Sequence, residues 1–95
     1  MTDRELLELA AKACGLEEAK MRIEFNQWNP LTDDGDALRL AVKLRLEVCV
    51  WDTITTVLTS DDDISTLSEP ANGDPYAATR RAITRAAAEI GRSMK

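Results

Sequence analysis

The side chains best suited to catalysis are scarce in this 95-residue chain. It contains no histidine, the residue that most often acts as a base near neutral pH. Neither Cys14 nor Cys49 has an adjacent base in sequence, and no serine lies in a Gly-x-Ser-x-Gly turn. A glycine-rich phosphate loop is also missing. We therefore expect a protein that is not an enzyme and that uses no cofactor.

Three aspartates, Asp33, Asp34 and Asp36, form the acidic cluster that is the first candidate for a metal site. A calcium loop needs alternating oxygen ligands and a glutamate several residues further on. The spacing here does not supply that arrangement. Carboxylates in the first turn of a helix instead complement its positive end, each by about 0.3–1 kcal/mol. The pattern favours a helix start and predicts no metal site.

A second acidic run and one tryptophan are the candidates for binding a partner. Asp61, Asp62 and Asp63 lie in a polar stretch, residues 60–73, for which the sequence predicts a loop. Such a run is either a solvated loop or a contact for a basic partner. Trp51 ends an apolar strand pattern, and it would form an apolar patch if it pointed away from the core. These four residues are the partner-binding candidates.

Four arginines near the carboxyl end, Arg80, Arg81, Arg85 and Arg92, offer an alternative anion-binding surface. They equally fit a solvated helix face. The formal net charge of −5 disfavours direct binding to nucleic acid or to an anionic membrane surface. No apolar run approaches the roughly 18 residues of a transmembrane helix, so we expect no membrane partner.

The periodicity of apolar residues predicts one α/β (α+β) domain over residues 1–95, with a small, mainly antiparallel sheet packed between helices. A Thr2–Glu5 capping box opens the first helix, and Asp74-Pro75 opens the last. The predicted order is α-β-α-β-β-α. Helices are predicted over 3–14, from a start within 32–36 to 44, and from 74 onward. Strands are predicted over 21–25, 46–51 and 54–59.

The last helix combines an apolar stripe with small residues. Alanines at four-residue steps allow a neighbour to approach closely; that neighbour is either the protein's own sheet or a second copy of the chain. The expected core stripe is Tyr76, Thr79, Ile83, Ala87, Ile90 and Met94, and the small residues are Ala78, Ala82 and Ala86.

The run Trp28-Asn29-Pro30-Leu31-Thr32-Asp33-Asp34-Gly35-Asp36, which continues through an apolar helix to Leu44, resembles the "phage ABA sandwich" family of small phage and prophage proteins. The segments 5–13, 74–83 and 85–92 fit the same pattern. The resemblance implies a compact α/β sandwich and a phage or prophage origin. It carries over no catalytic residue, and it does not extend to residues 16–27 or 46–72.

These observations lead to an expected function that is not enzymatic. The leading hypothesis is a phage accessory protein that binds a host bacterial protein in the host cytoplasm. Its sharpest form is an inhibitor of a defence effector, of the anti-CRISPR kind. The alternatives are a sponge for a small ligand such as a nucleotide, and a virion or assembly component. Homo-oligomer formation stays open.

Overall fold

The computed structural model describes residues 2–59 and 66–94, which form four helices and a three-stranded antiparallel sheet. The fold class expected from the sequence, mixed α and β with a small antiparallel sheet, is confirmed. The elements are α1 (Asp3–Cys14), α2 (Ala19–Glu24), α3 (Asp34–Leu44), β1 (Glu47–Val50), β2 (Ile54–Leu58), β3 (Thr66–Pro70) and α4 (Pro75–Ser93).

The predicted capping residues determine where α1 begins and ends. The Glu5 N–H donates to Thr2 Oγ1 at 3.2 Å, and the Thr2 hydroxyl lies 3.1 Å from Glu5 Oε1. Gly15 ends the helix in the left-handed conformation with φ of 69°, which costs a residue without a side chain little. The sequence prediction of a helix over residues 3–14 is therefore confirmed.

Two parts of the predicted element order are wrong. The segment 21–25, predicted as a strand, is helical up to Glu24 as part of the short helix α2, because Ala19 and Ile23 are four residues apart and both pack against the core. The stretch 60–73, predicted as a loop, contains the strand β3. The observed order is therefore three helices, three strands and a final helix.

The sheet has the order β1-β2-β3 and presents one face to α4. Val57, at the centre of β2, is fully buried on this inner face, and it pairs with Val48 of β1 and Leu67 of β3. Thr55 lies on the same face, where its hydroxyl is 3.0 Å from that of Thr79 in α4. These contacts attach the middle strand directly to the last helix.

The helix α4 lies between the sheet and α1, and it also contacts α3. The expected core stripe is only partly correct, since Ile83 and Ala87 are buried but Tyr76 and Met94 are exposed. A helix with neighbours on several sides uses small residues on several faces. Its buried residues are Ala78, Ala82, Ile83, Thr84, Ala86, Ala87, Ala88 and Gly91.

The packing of α1 against α4 is close enough to require a glycine. A Cβ on Gly91 would overlap the Leu9 carbonyl oxygen and would lie 2.8 Å from the carbonyl carbon. Further contacts show that the two helices run parallel: Arg81 pairs with Asp3 at 3.3 Å, and Lys12 Nζ donates to the Met94 carbonyl at 3.0 Å.

We predict that Gly91→Ala destabilises the protein by about 1–3 kcal/mol or more, because the added methyl group meets backbone that cannot rotate away. Urea denaturation followed by circular dichroism measures this change. Gly35→Ala in α3 is the matched control: its Cβ would meet only the ends of the Asp33 and Arg39 side chains, at 3.2–3.3 Å. It should change the free energy of unfolding by no more than about 1 kcal/mol, because the helical preference of alanine offsets a small displacement of those side chains. Equal stability of Gly91→Ala and wild type would refute the close contact.

Candidate functional site

The Asp33–Asp36 cluster is part of the framework. The Asp33 side chain accepts the Asp36 N–H at 2.8 Å and so caps α3. Asp36 in turn accepts the Asn29 N–H at 2.9 Å and an Arg39 guanidinium N–H at 2.7 Å. Each carboxylate thus has a structural role, as the sequence indicated for the start of this helix. Within residues 2–59 and 66–94, no group of three or more histidine, cysteine or acidic side chains is arranged to hold a metal ion.

Three of the four candidate anion-binding arginines are bound to carboxylates elsewhere in the fold. Arg80 donates to Asp34 Oδ1 at 2.7 Å and to the Leu31 carbonyl at 2.9 Å, which ties α4 to the start of α3. Arg81 and Arg85 both pair with Glu69 on the inner face of β3. This arrangement joins helices and strands rather than presenting open cationic groups.

Arg92 lies apart from the other three, near the end of α4, where its guanidinium is 3.6 Å from Glu89. The four arginines therefore do not converge on one concave site. A nucleotide sponge needs free cationic groups and an aromatic ring in one pocket. Tyr76 and Arg80 do line the same groove, but the Arg80 guanidinium is held by Asp34 there.

The Cys14 thiol offers little nucleophilic character. Both cysteines are half-buried, and the Cys14 thiol donates to the Ala11 carbonyl at 3.5 Å. Burial raises the pKa of the Cys14 thiol above its usual value, so less thiolate forms near neutral pH. This environment is typical of a structural cysteine.

The tryptophans have opposite surroundings. Trp28 is only 9% exposed and belongs to the core cluster, whereas Trp51 is 62% exposed just after β1. Trp51 therefore meets the condition for an apolar patch on the surface. The other partner-binding candidates, Asp61, Asp62 and Asp63, lie outside the described residues.

Near Trp51 in the sequence, β1 contributes to an apolar surface that sequence reasoning did not assemble. Leu38 and Val42 on α3 are both exposed, although their positions fit an apolar helix, and Val50 and Tyr76 are also exposed. Leu38, Val50 and Tyr76 line a groove of about 570 Å³ between α3, β1 and the start of α4, whereas Val42 and Trp51 are not among its lining residues. We call this the β1–α3 groove; it is lined by Leu38, Ala41, Val48, Val50, Tyr76 and Ile83.

One feature of the sequence, the apolar pattern of α3, could have indicated this surface. The apolar residues of α3 cover more than one face of the helix, yet only Ala37, Leu40 and Ala41 are buried. The helix therefore has an apolar face that the rest of the described chain leaves open. Contiguous exposed apolar patches are common at surfaces that bind other proteins.

Comparison with known proteins adds no relative: the chain matches no model of a known protein family, no curated protein sequence and no solved structure. The described helices include none that is both long and apolar enough to cross a bilayer.

The opposite surroundings of the tryptophans predict opposite mutational effects. Trp28→Ala should lower the free energy of unfolding by about 3–5 kcal/mol, because it leaves a cavity in the core. Trp51→Ala should change it by no more than about 0.5 kcal/mol, because the side chain stands mostly in solvent. Chemical denaturation of both variants checks this difference. A large loss of stability in Trp51→Ala would mean that the residue is structural and not a free contact surface.

Proposed function

We propose that this chain acts by binding another protein through the exposed apolar surface around the β1–α3 groove. The observation that carries the proposal is the clustering of Leu38, Val50 and Tyr76 in the lining of one groove, each more than half exposed. The exposed Val42 follows one turn further along α3, and the exposed Trp51 comes directly after β1. Aromatic residues are enriched at the energetic centres of protein interfaces. Surrounding water gains entropy when such a surface is covered.

The surface is held in place before any partner arrives. The groove walls come from α3, β1 and α4, and the salt bridge from Arg80 to Asp34 joins two of these elements at one end. Thr79, which also lines the groove, bonds to Thr55 of the sheet. A preformed surface loses less conformational entropy on association than a mobile one.

The more specific proposal is a phage counter-defence protein that binds a host bacterial defence effector and sterically blocks a functional site on that effector. Its support is the resemblance of residues 28–44 and of the outer helices to phage ABA sandwich proteins. The framework role of Asp33, Asp36 and Arg80 agrees with that reading, because these residues of the resembling segments hold the scaffold together. The same segments contribute Leu38 and Tyr76 to the groove, and the exposed Trp51 lies outside them. A steric inhibitor of this kind needs a rigid surface and no catalytic group.

The proposal is tested by capture from bacterial lysate with quantitative mass spectrometry. The tagged wild-type chain should enrich a specific host protein, and the double variant Leu38→Asp/Trp51→Ser should lose most of that enrichment. The matched control is Met21→Ser/Phe25→Ser, which removes two similarly exposed apolar side chains from α2 and its C-cap, outside the groove.

The identity of the captured protein and the pattern among the variants decide the outcome. A defence effector supports the specific proposal, and any other single host protein supports the general one only. Specific capture that survives in the Leu38→Asp/Trp51→Ser variant, or no specific capture at all, contradicts the proposed surface.

A further inference from the structure

The hydrogen-bond pattern of the sheet determines which backbone groups of β1 face outward. The Trp51 N–H donates to the Ile54 carbonyl at 2.9 Å, in register with the β1–β2 ladder. Neighbouring residues of an antiparallel strand direct their N–H and C=O groups to opposite sides. Cys49 therefore bonds toward β2, whereas Val48 and Val50 direct both groups at the open edge of the sheet.

The same alternation shows that the two edges of the sheet differ. The Ala71 N–H donates to the Thr53 carbonyl at 2.9 Å, so the outward positions of β3 are Thr66, Ser68 and Pro70. Proline has no N–H to offer, and proline at an edge is a known barrier to strand addition. The β1 edge, by contrast, contains neither proline nor lysine. It is the edge that can accept another strand.

The β1–α3 groove lies beside this open edge. The side chains of Val48 and Val50 are on the inner face of the sheet and line the groove, opposite Leu38 and Ala41 of α3. A strand added along β1 would place every second side chain in the groove, since side chains alternate between the two faces. Small and medium apolar side chains fit a groove of about 570 Å³.

The charge at this edge specifies the partner further. Glu47 is exposed on the outer face of β1 and forms no ion pair with any residue in 2–59 or 66–94, and Asp52 is exposed just beyond the strand. Arg39, on α3, already forms a salt bridge with Asp36. Opposite charges facing each other across two strands stabilise the pair. The edge therefore favours a basic residue directly opposite Glu47.

We propose that β1 binds an extended segment of the partner protein as an added antiparallel strand. The segment has apolar residues opposite Val48 and Val50, with a lysine or arginine opposite Glu47. This inference rests on the proposed function and names the chemistry of its partner. A second copy of the chain fits less well, because β1 itself contains no basic residue to face Glu47. Backbone hydrogen bonds supply affinity in this mode of recognition, and the groove supplies selectivity.

The test is selection from a yeast-displayed library of random eight-residue peptides on the full chain. Enriched peptides should share apolar residues two positions apart, followed by a basic residue. Selection on Glu47→Lys should change that basic preference to an acidic one. A synthetic peptide of the enriched sequence should bind Val50→Pro at least about tenfold more weakly in fluorescence anisotropy, since one edge N–H is lost.

Ser68→Pro is the matched control, because it removes an outward N–H from the other edge of the sheet. It should bind the peptide with wild-type affinity. Circular dichroism establishes that each variant is folded, and the Glu47→Lys selection stands independently should Val50→Pro fail to fold.

Four results would overturn the proposal: no enriched peptides, enriched peptides with apolar residues three or four positions apart, unchanged peptide binding by folded Val50→Pro, or wild-type dimers in sedimentation that Val50→Pro converts to monomers. The last result would assign the edge to a second copy. Lysate capture that needs Leu38 and Trp51 but tolerates Val50→Pro would refute strand addition and leave the proposed function intact.

Discussion

The parallel contact between α1 and α4 is the constraint on which the rest of the structure depends. At Gly91 the two backbones are so close that a Cβ would lie 2.8 Å from the Leu9 carbonyl carbon. Ala10, Ala11 and Ala87 are fully buried in the core cluster that both helices share. Close packing of small side chains gives many dispersion contacts with little loss of side-chain entropy. The contact therefore stabilises a small domain with few large core residues.

The helix α4 holds the remaining elements from its other faces. Arg80 donates a hydrogen bond to the chain just before α3, and Thr79 is hydrogen-bonded to the middle strand. Arg85 forms a salt bridge with Glu69 in the edge strand β3. Three of the four arginines that the sequence offers as an anion site thus serve as links within the fold. Holding α3 and β1 on either side of α4 is what creates the β1–α3 groove and leaves its apolar rim in solvent.

Much of the framework could be predicted because local chemistry specifies it. Thr2 and Gly15 bound α1, Asp33 caps α3, and the Asp74 side chain accepts the Ala77 N–H at 3.1 Å ahead of α4. The residues from Glu47 to Leu58 also form the predicted pair of antiparallel strands. In each of these places, a capping residue or a run of β-branched residues favours one structure over its alternatives.

Other parts depend on tertiary contacts that no local pattern reveals. The alternation at 21–25 fits a strand, yet Ala19 and Ile23 pack as one face of a helix. β3 looked like a loop because it is polar, but Glu69 is stabilised on the inner face by Arg81 and Arg85. The groove escaped prediction for the same reason, since it exists only once α3, β1 and α4 are placed together.

The central claim is that β1 forms an open edge of the sheet, with unpaired backbone N–H and C=O groups, beside an apolar groove. Amide hydrogen exchange of the free chain, resolved by residue with NMR, tests this claim most directly. The account predicts an alternating pattern: fast exchange at Val48 and Val50, whose N–H groups face outward, and slow exchange at Cys49 and Trp51, whose N–H groups bond to β2. Equal protection at all four amides would show that the edge is already covered and would contradict the account.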